Sequence, residues 1–136
     1  MNSEESVERL RFAGRVCLVS QAFQVAARLC SLSTTGTVQL WSLAQPRGGV
    51  RCGRVGLRHL GVDGHLVDVL YEDCSGRAQL LTSHFEGRLA LYHLNLEGAS
   101  YTCSLEGHKG LVRTAAAYRD GFLTGGEDGL LCCWRP

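Results

Sequence analysis

Three side chains near the end of this sequence carry the groups of a nucleophilic triad: the hydroxyl of Thr124, the imidazole of His108 and the carboxylate of Asp128. In such a triad the imidazole takes the hydroxyl proton and the carboxylate orients the imidazole. The surroundings argue against that chemistry. Thr124 runs into Gly125-Gly126-Glu127-Asp128-Gly129. No helical pattern follows to form a sharp strand-to-helix turn or an oxyanion hole at a helix N-terminus. Asp128 stands at a turn, where packing is its expected role. No enzyme is expected.

Metal chemistry is the next candidate, because the chain holds five His and seven Cys: Cys17, Cys30, Cys52, Cys74, Cys103, Cys132 and Cys133. Structural zinc favours pairs such as Cys-x2-Cys and His-x3-His, and neither occurs. Cys132 and Cys133 are adjacent, so on a strand they point to opposite faces. His84 and His93 lack nearby ligand partners. No metal or cofactor is expected. The odd number and scattered spacing of the cysteines argue against a disulfide framework and for a reduced setting, cytoplasmic or nuclear. Nucleotide-binding glycine motifs are also missing.

One basic run remains. Arg47, Arg51, Arg54 and Arg58, with His59, occur without an acid before Asp63. Arginine forms bidentate contacts with phosphate, and Arg47-Gly48-Gly49 resembles RNA-binding low-complexity sequence. Aromatics for base stacking are absent from the run. On an outer strand it reads as a solvated edge or as a basic binding edge suited to an acidic protein surface, with an RNA-associated module as the alternative function. Nucleic acid is the less favoured partner.

The whole chain sets limits on these readings. It has 136 residues, 45% hydrophobic and 20% charged, with a net charge of +1. These are ordinary values for one folded domain. The charge supplies no global field towards nucleic acid or an anionic membrane. No run approaches the roughly 18 apolar residues of a spanning helix, so no membrane is expected. Seventeen Gly against two Pro suggest many turns.

Those turns recur. Leu29–Trp41, Leu80–Tyr92 and Phe122–Trp134 align without a gap. In each, a glycine (Gly36, Gly87 or Gly129) precedes a large aromatic (Trp41, Tyr92 or Trp134) by five residues. The aromatics lie 51 and 42 residues apart, periods that suit a unit of four short strands. Each segment predicts a hairpin, and Asp128-Gly129 suggests a tight two-residue turn. Flanking strands are predicted at Val16–Val19, Leu66–Tyr71 and Val112–Tyr118, with outer strands at Val50–Leu57 and Ser100–Leu105. Tyr71 and Tyr118 would pack between units. Weak helical options remain at Val7–Phe12 and Gln21–Leu29, and Val7–Phe12 could instead serve as the missing outer strand of the last unit if the ring were complete. The predicted units span about residues 10–58, 59–105 and 106–136, after a flexible segment 1–9.

These residues resemble the WD-repeat family of β-propellers. The third unit carries most of the likeness: Gly107-His108 before the strand, Val112 four residues on, Asp128-Gly129 at the hairpin and Trp134 at the end. Arg135 replaces the family's closing Asp. The second unit has Tyr92 for Trp and Glu86 for Asp, and its Gly64-His65 reads as accidental. The first keeps Trp41 but has Thr35 for Asp and no Gly-His. From about Leu10 onwards, the order of features is most similar to the last three blades of the WD repeat-containing protein 89 group.

The resemblance implies an all-β partial propeller of about three four-stranded antiparallel blades, the last lacking its outer strand. It also implies a structural tetrad of His108, Thr124, Asp128 and Trp134. The implied role is a scaffold for protein complexes without chemistry of its own. Propellers use about four to eight blades, so three do not close a ring. A truncated fragment or isoform of a longer propeller, a ring completed by self-association or another chain, and an open wedge are the three expectations. Open blade edges favour self-association.

Overall fold

The computed structural model describes residues 7–12, 16–19, 22–25, 28–33, 35–42, 51–72, 77–95 and 97–135. These residues form strands and one short 3-10 helix, Leu57–Leu60. In chain order the strands are β1 (Val7–Phe12), β2 (Val16–Val19), β3 (Ala22–Val25), β4 (Arg28–Ser33), β5 (Thr37–Ser42), β6 (Arg51–Gly56) and β7 (Gly64–Glu72). They continue as β8 (Arg77–His84), β9 (Leu89–Asn95), β10 (Gly98–Leu105), β11 (Val112–Tyr118), β12 (Gly121–Gly126) and β13 (Leu131–Trp134).

Three antiparallel sheets share one plan. Sheet 1 has the order β1-β4-β5-β6, sheet 2 the order β7-β8-β9-β10, and sheet 3 the order β11-β12-β13. Strands β2 and β3 form a separate hairpin. Among the described residues no strand lies beyond β13. The fold is all-β, and its sheets of three and four strands are consistent with part of a β-propeller.

Sheet 2 is covered on both faces, and side-chain alternation along its strands explains how. On β8 and β9, Ala78, Leu80, Ala90, Tyr92 and Leu94 pack with Cys30, Leu32, Val38 and Leu40 of sheet 1. The intervening Leu81, Leu89 and Leu91 pack with Val112 and Ala115 of sheet 3. A run such as Leu80-Leu81 therefore serves two cores, the pattern expected where neither face meets water.

The repeated hairpins are present, with a different turn. The amides of Gly36, Gly87 and Gly129 donate to the carbonyls of Ser33, His84 and Gly126, three residues back. The three glycines have φ of 78°, 90° and 75°, the left-handed region that side chains resist. Asp128 is not at positive φ; among the described non-glycine residues only Arg119 is, at 52°. The connection is thus a three-residue loop closed by a left-handed glycine, not the two-residue turn that Asp128-Gly129 suggested.

The N-terminal part differs more. Val7–Phe12 is a strand, not a helix, and pairs with β4 from Val7↔Ser33 to Phe12↔Leu29. Six residues gain little from an isolated helix, whereas β4 offers a ladder. Val16–Val19 is a strand as expected but pairs with Ala22–Val25 instead of joining sheet 1. The Gln21–Leu29 stretch contains β3 and the start of β4, so its helical option also fails. Residues 7–9 of the segment read as flexible lie in β1. The other expected strands appear close to their predicted bounds, with β11 spanning Val112–Tyr118.

Candidate functional site

Four elements of the third unit converge on one chain of polar groups. Strand β12 carries Thr124, strand β13 carries Trp134, their connecting turn holds Asp128, and the loop before β11 carries His108. His108 Nδ1 lies 3.0 Å from both carboxylate oxygens of Asp128. Its Nε2 lies 2.8 Å from Thr124 Oγ1. The indole N–H of Trp134 donates to the same Oγ1 over 2.7 Å. One proton assignment satisfies every group: Nδ1–H donates to the carboxylate, and the Thr124 hydroxyl donates to Nε2 while accepting from the indole.

Asp128 also accepts from the backbone amides of Lys109, at 2.7 Å, and Leu130, at 3.0 Å. Burial alone would raise its pKa. These two amides and His108 outweigh that effect and hold it at about 2, since each favours the charged form. One carboxylate thus ties the loop to the turn.

Two glycines make room for the set. A Cβ at Gly126 would stand 2.8 Å from both Asp128 Oδ1 and His108 Nδ1. One at Gly107 would stand 2.9 Å from the Trp134 ring. Phe122 stacks on that ring at a centroid distance of 6.4 Å. Of the motif residues, Gly107 therefore has a packing reason of its own, and Gly126 is a member that the sequence reading missed.

The connectivity is that of a hydroxyl–imidazole–carboxylate triad, but access is closed. Thr124 is 1% exposed, and its oxygen already accepts the indole N–H. Nothing outside the fold reaches that hydroxyl in this arrangement.

The other units hold only parts of the set. In the first, the Trp41 indole N–H approaches Ser31 Oγ at 3.5 Å, the counterpart of the bond from Trp134 to Thr124. In the second, the Thr82 hydroxyl donates to the Ala90 carbonyl at 3.3 Å instead. Tyr92 there meets Tyr101 edge-on at 5.8 Å, and burial is the main cause that pushes its phenol pKa up. Gly64-His65 opens β7 itself, paired with His84 and Ser83. Counting back from the first paired residue of the inner strand, His59-Leu60 holds the place of Gly107-His108. That fits the reading of Gly64-His65 as accidental.

Neighbouring units are also joined. Ser83 Oγ accepts from the amide of Val112 at 3.0 Å and donates to the His84 carbonyl at 3.1 Å. Ser83 and Val112 are fully buried. A Cβ at Gly87 would meet the His108 carbonyl at 2.6 Å, so the second hairpin lies against the loop that carries His108. No local pattern marks Ser83 or Ser31, because their roles depend on a partner strand or sheet.

Arg47 lies outside the described residues. Arg51 and Arg54 stand three positions apart on β6, which places those positions on opposite sides of the ribbon. Arg54 and Arg58 are exposed, the latter on the 3-10 helix. Tyr118 is exposed at the end of β11, and its ring lies under the Arg119 guanidinium at 5.2 Å. Tyr71 has no described side chain. His93 pairs across to Gln79, away from His84 at the strand end. Among the described residues no group of three or more His, Cys, Asp or Glu is placed to hold a metal. No helix among them is long and apolar enough to cross a membrane.

Comparisons with protein families, with curated proteins and with solved structures find no match.

Proposed function

We propose that the chain is a partial β-propeller of the WD-repeat kind and a protein-interaction scaffold without chemistry of its own. The observation that carries this reading is the closed polar chain from Trp134 to Asp128. Its most reactive-looking groups are spent on holding a loop against a turn, and the hydroxyl is buried. Two further features support the propeller part: the shared strand order of the three sheets, and the repeated turn and aromatic. Partial forms of the tetrad in the first two units fit the same plan.

The proposed binding surface is the end of the sheets where hairpin turns and strand-connecting loops lie together. Pairing of Gly64 with His84, and of Val112 with Gly126, brings residues 57–63 and 106–111 to the same end as the β8–β9 and β12–β13 turns. Phe85 is 61% exposed at one turn and Leu130 44% exposed at the other. Exposed Glu86, Arg88, Lys109 and Glu127 surround them. Apolar anchors within a charged rim are the pattern of a protein-binding patch.

The test is affinity capture of cellular proteins on the full chain, compared with the Phe85→Ala/Leu130→Ala double variant. Specific partners lost with the variant, while its melting curve is unchanged, support the scaffold reading. Capture that is indifferent to the variant sinks this surface. Binding of an RNA oligonucleotide that weakens steeply with salt and is lost on changing Arg54 and Arg58 to Glu would favour the RNA-associated alternative.

A further inference from the structure

The hairpin tips of sheets 2 and 3 are joined into one surface by the loop between them. A Cβ at Gly87 would stand 2.6 Å from the His108 carbonyl oxygen and 2.9 Å from the Gly110 amide nitrogen. On its other side the loop donates the Lys109 amide to Asp128 Oδ2 over 2.7 Å. A Cβ at Gly110 would stand 3.3 Å from the Asp128 nitrogen. Lys109 therefore lies between the tip that carries Phe85 and the tip that carries Leu130. Its side chain is exposed, and among the described residues no carboxylate pairs with its ammonium. The acids around it are engaged elsewhere. Glu127 accepts from Arg113 Nε at 2.7 Å, and Asp128 is held by His108 and two amides. Glu86 has the turn place in the second hairpin that Asp128 has in the third. Asp128 serves the loop before its own sheet, and the same geometry assigns Glu86 to the side of residues 57–63. What is left is a positive charge flanked by two exposed apolar side chains, on a loop whose next residue, Gly110, adds no side chain.

Building on the scaffold reading, we propose that Phe85, Lys109 and Leu130 together take an extended segment of a partner protein in which an acidic side chain stands between two apolar ones. Neighbouring sheets pack about 10 Å apart, and alternate residues of an extended chain lie on one side about 6.7 Å apart. An apolar–x–acid–x–apolar segment thus spans about 13 Å, enough to set its acid on the ammonium and its apolar residues against Phe85 and Leu130. The apolar contacts supply most of the affinity. The ion pair stays in contact with water, so it sets preference more than strength. A basic segment is disfavoured by Lys109 and by exposed Arg88 beside Phe85. A run of phosphates is disfavoured by exposed Glu86 and Glu127.

The experiment selects phage-displayed random peptides on the purified full chain and measures the recovered peptides by fluorescence anisotropy. The expected result is a set with Asp or Glu two positions from an apolar residue on each side. Lys109→Gln should weaken these peptides about two- to fivefold, the worth of one exposed ion pair, and remove the salt dependence of their binding. Lys109→Glu should select Lys or Arg in the place of the acid. Phe85→Ala/Leu130→Ala should weaken binding roughly tenfold or more. Melting curves check that each variant is folded, and if Lys109→Glu disturbs Asp128, the Lys109→Gln comparison decides. Peptides that are lost with the double variant but carry no acid, or are indifferent to Lys109, would overturn this inference and leave the binding surface standing. Peptides indifferent to the double variant, or no recovered peptides, would overturn both.

Discussion

Asp128 gathers a loop amide, a turn amide and an imidazole, and its acidity makes that visible in solution. Its folded pKa of about 2 lies below the ordinary 3.8, so folding favours the ionised form. The stability it contributes is present above the ordinary value and is lost as pH falls from about 4 through about 2. Asp128→Asn should therefore melt below the parent at pH 7, and the gap should narrow over that acid range. Melting curves between pH 7 and pH 2 check this; a constant gap would mean that the carboxylate is not held in its charged form. His108→Ala should cost roughly 1–3 kcal/mol, because it strands the buried Thr124 hydroxyl. Combined with Asp128→Asn it should cost less than the sum, since both changes break one network. Denaturant titration of the two single variants and the double variant measures the coupling.

The hairpins were legible because each is local. The turn glycine, the apolar flanks and the closing aromatic fall within a few residues of one another, and so do Thr124, Asp128 and Trp134. His108 was found through its spacing to Val112. The place of strand β1 in sheet 1 was not legible, since Glu8, Arg9 and Arg11 blur its alternation and its partner β4 lies beyond an intervening hairpin. Ser31 escaped notice for a related reason: a serine in an apolar run has no role until the Trp41 indole arrives from the next strand. The two indoles give a graded test. Trp134, stacked on Phe122 and bonded to Thr124 at 2.7 Å, should cost about 3 kcal/mol on change to Ala. Trp41 should cost less, because its bond to Ser31 is 3.5 Å long and no His-Asp pair backs it. Chemical denaturation of the two variants ranks them, and equal losses would count against the graded reading of the units.

At the scale of the molecule, sheet 2 is the member on which both others lean, and Ser83 is one of its points of attachment. Ser83→Ala leaves the buried Val112 amide without its acceptor, at a cost of roughly 1–3 kcal/mol. Hydrogen exchange should show the loss first in β11 and β12, with β4 and β5 unaffected; uniform loosening would contradict the attachment. The double burial of sheet 2 has a consequence for how its strands find their alignment. In a sheet with one wet face, a slip by one residue throws apolar side chains into water and is rejected for that reason. Along Leu80-Leu81 and Leu89-Ala90-Leu91 the same slip exchanges one apolar face for another, and hydrophobicity scarcely distinguishes the two pairings. The choice must then fall to features that tolerate no displacement. One is Gly64, where a Cβ would lie 1.9 Å from the Ser83 carbonyl oxygen. A second is the irregularity between Leu66 and Asp68, and a third is the Ser83 hydroxyl on Val112. Misaligned chains that have collapsed but cannot close these contacts are the errors this protein is most exposed to while it folds.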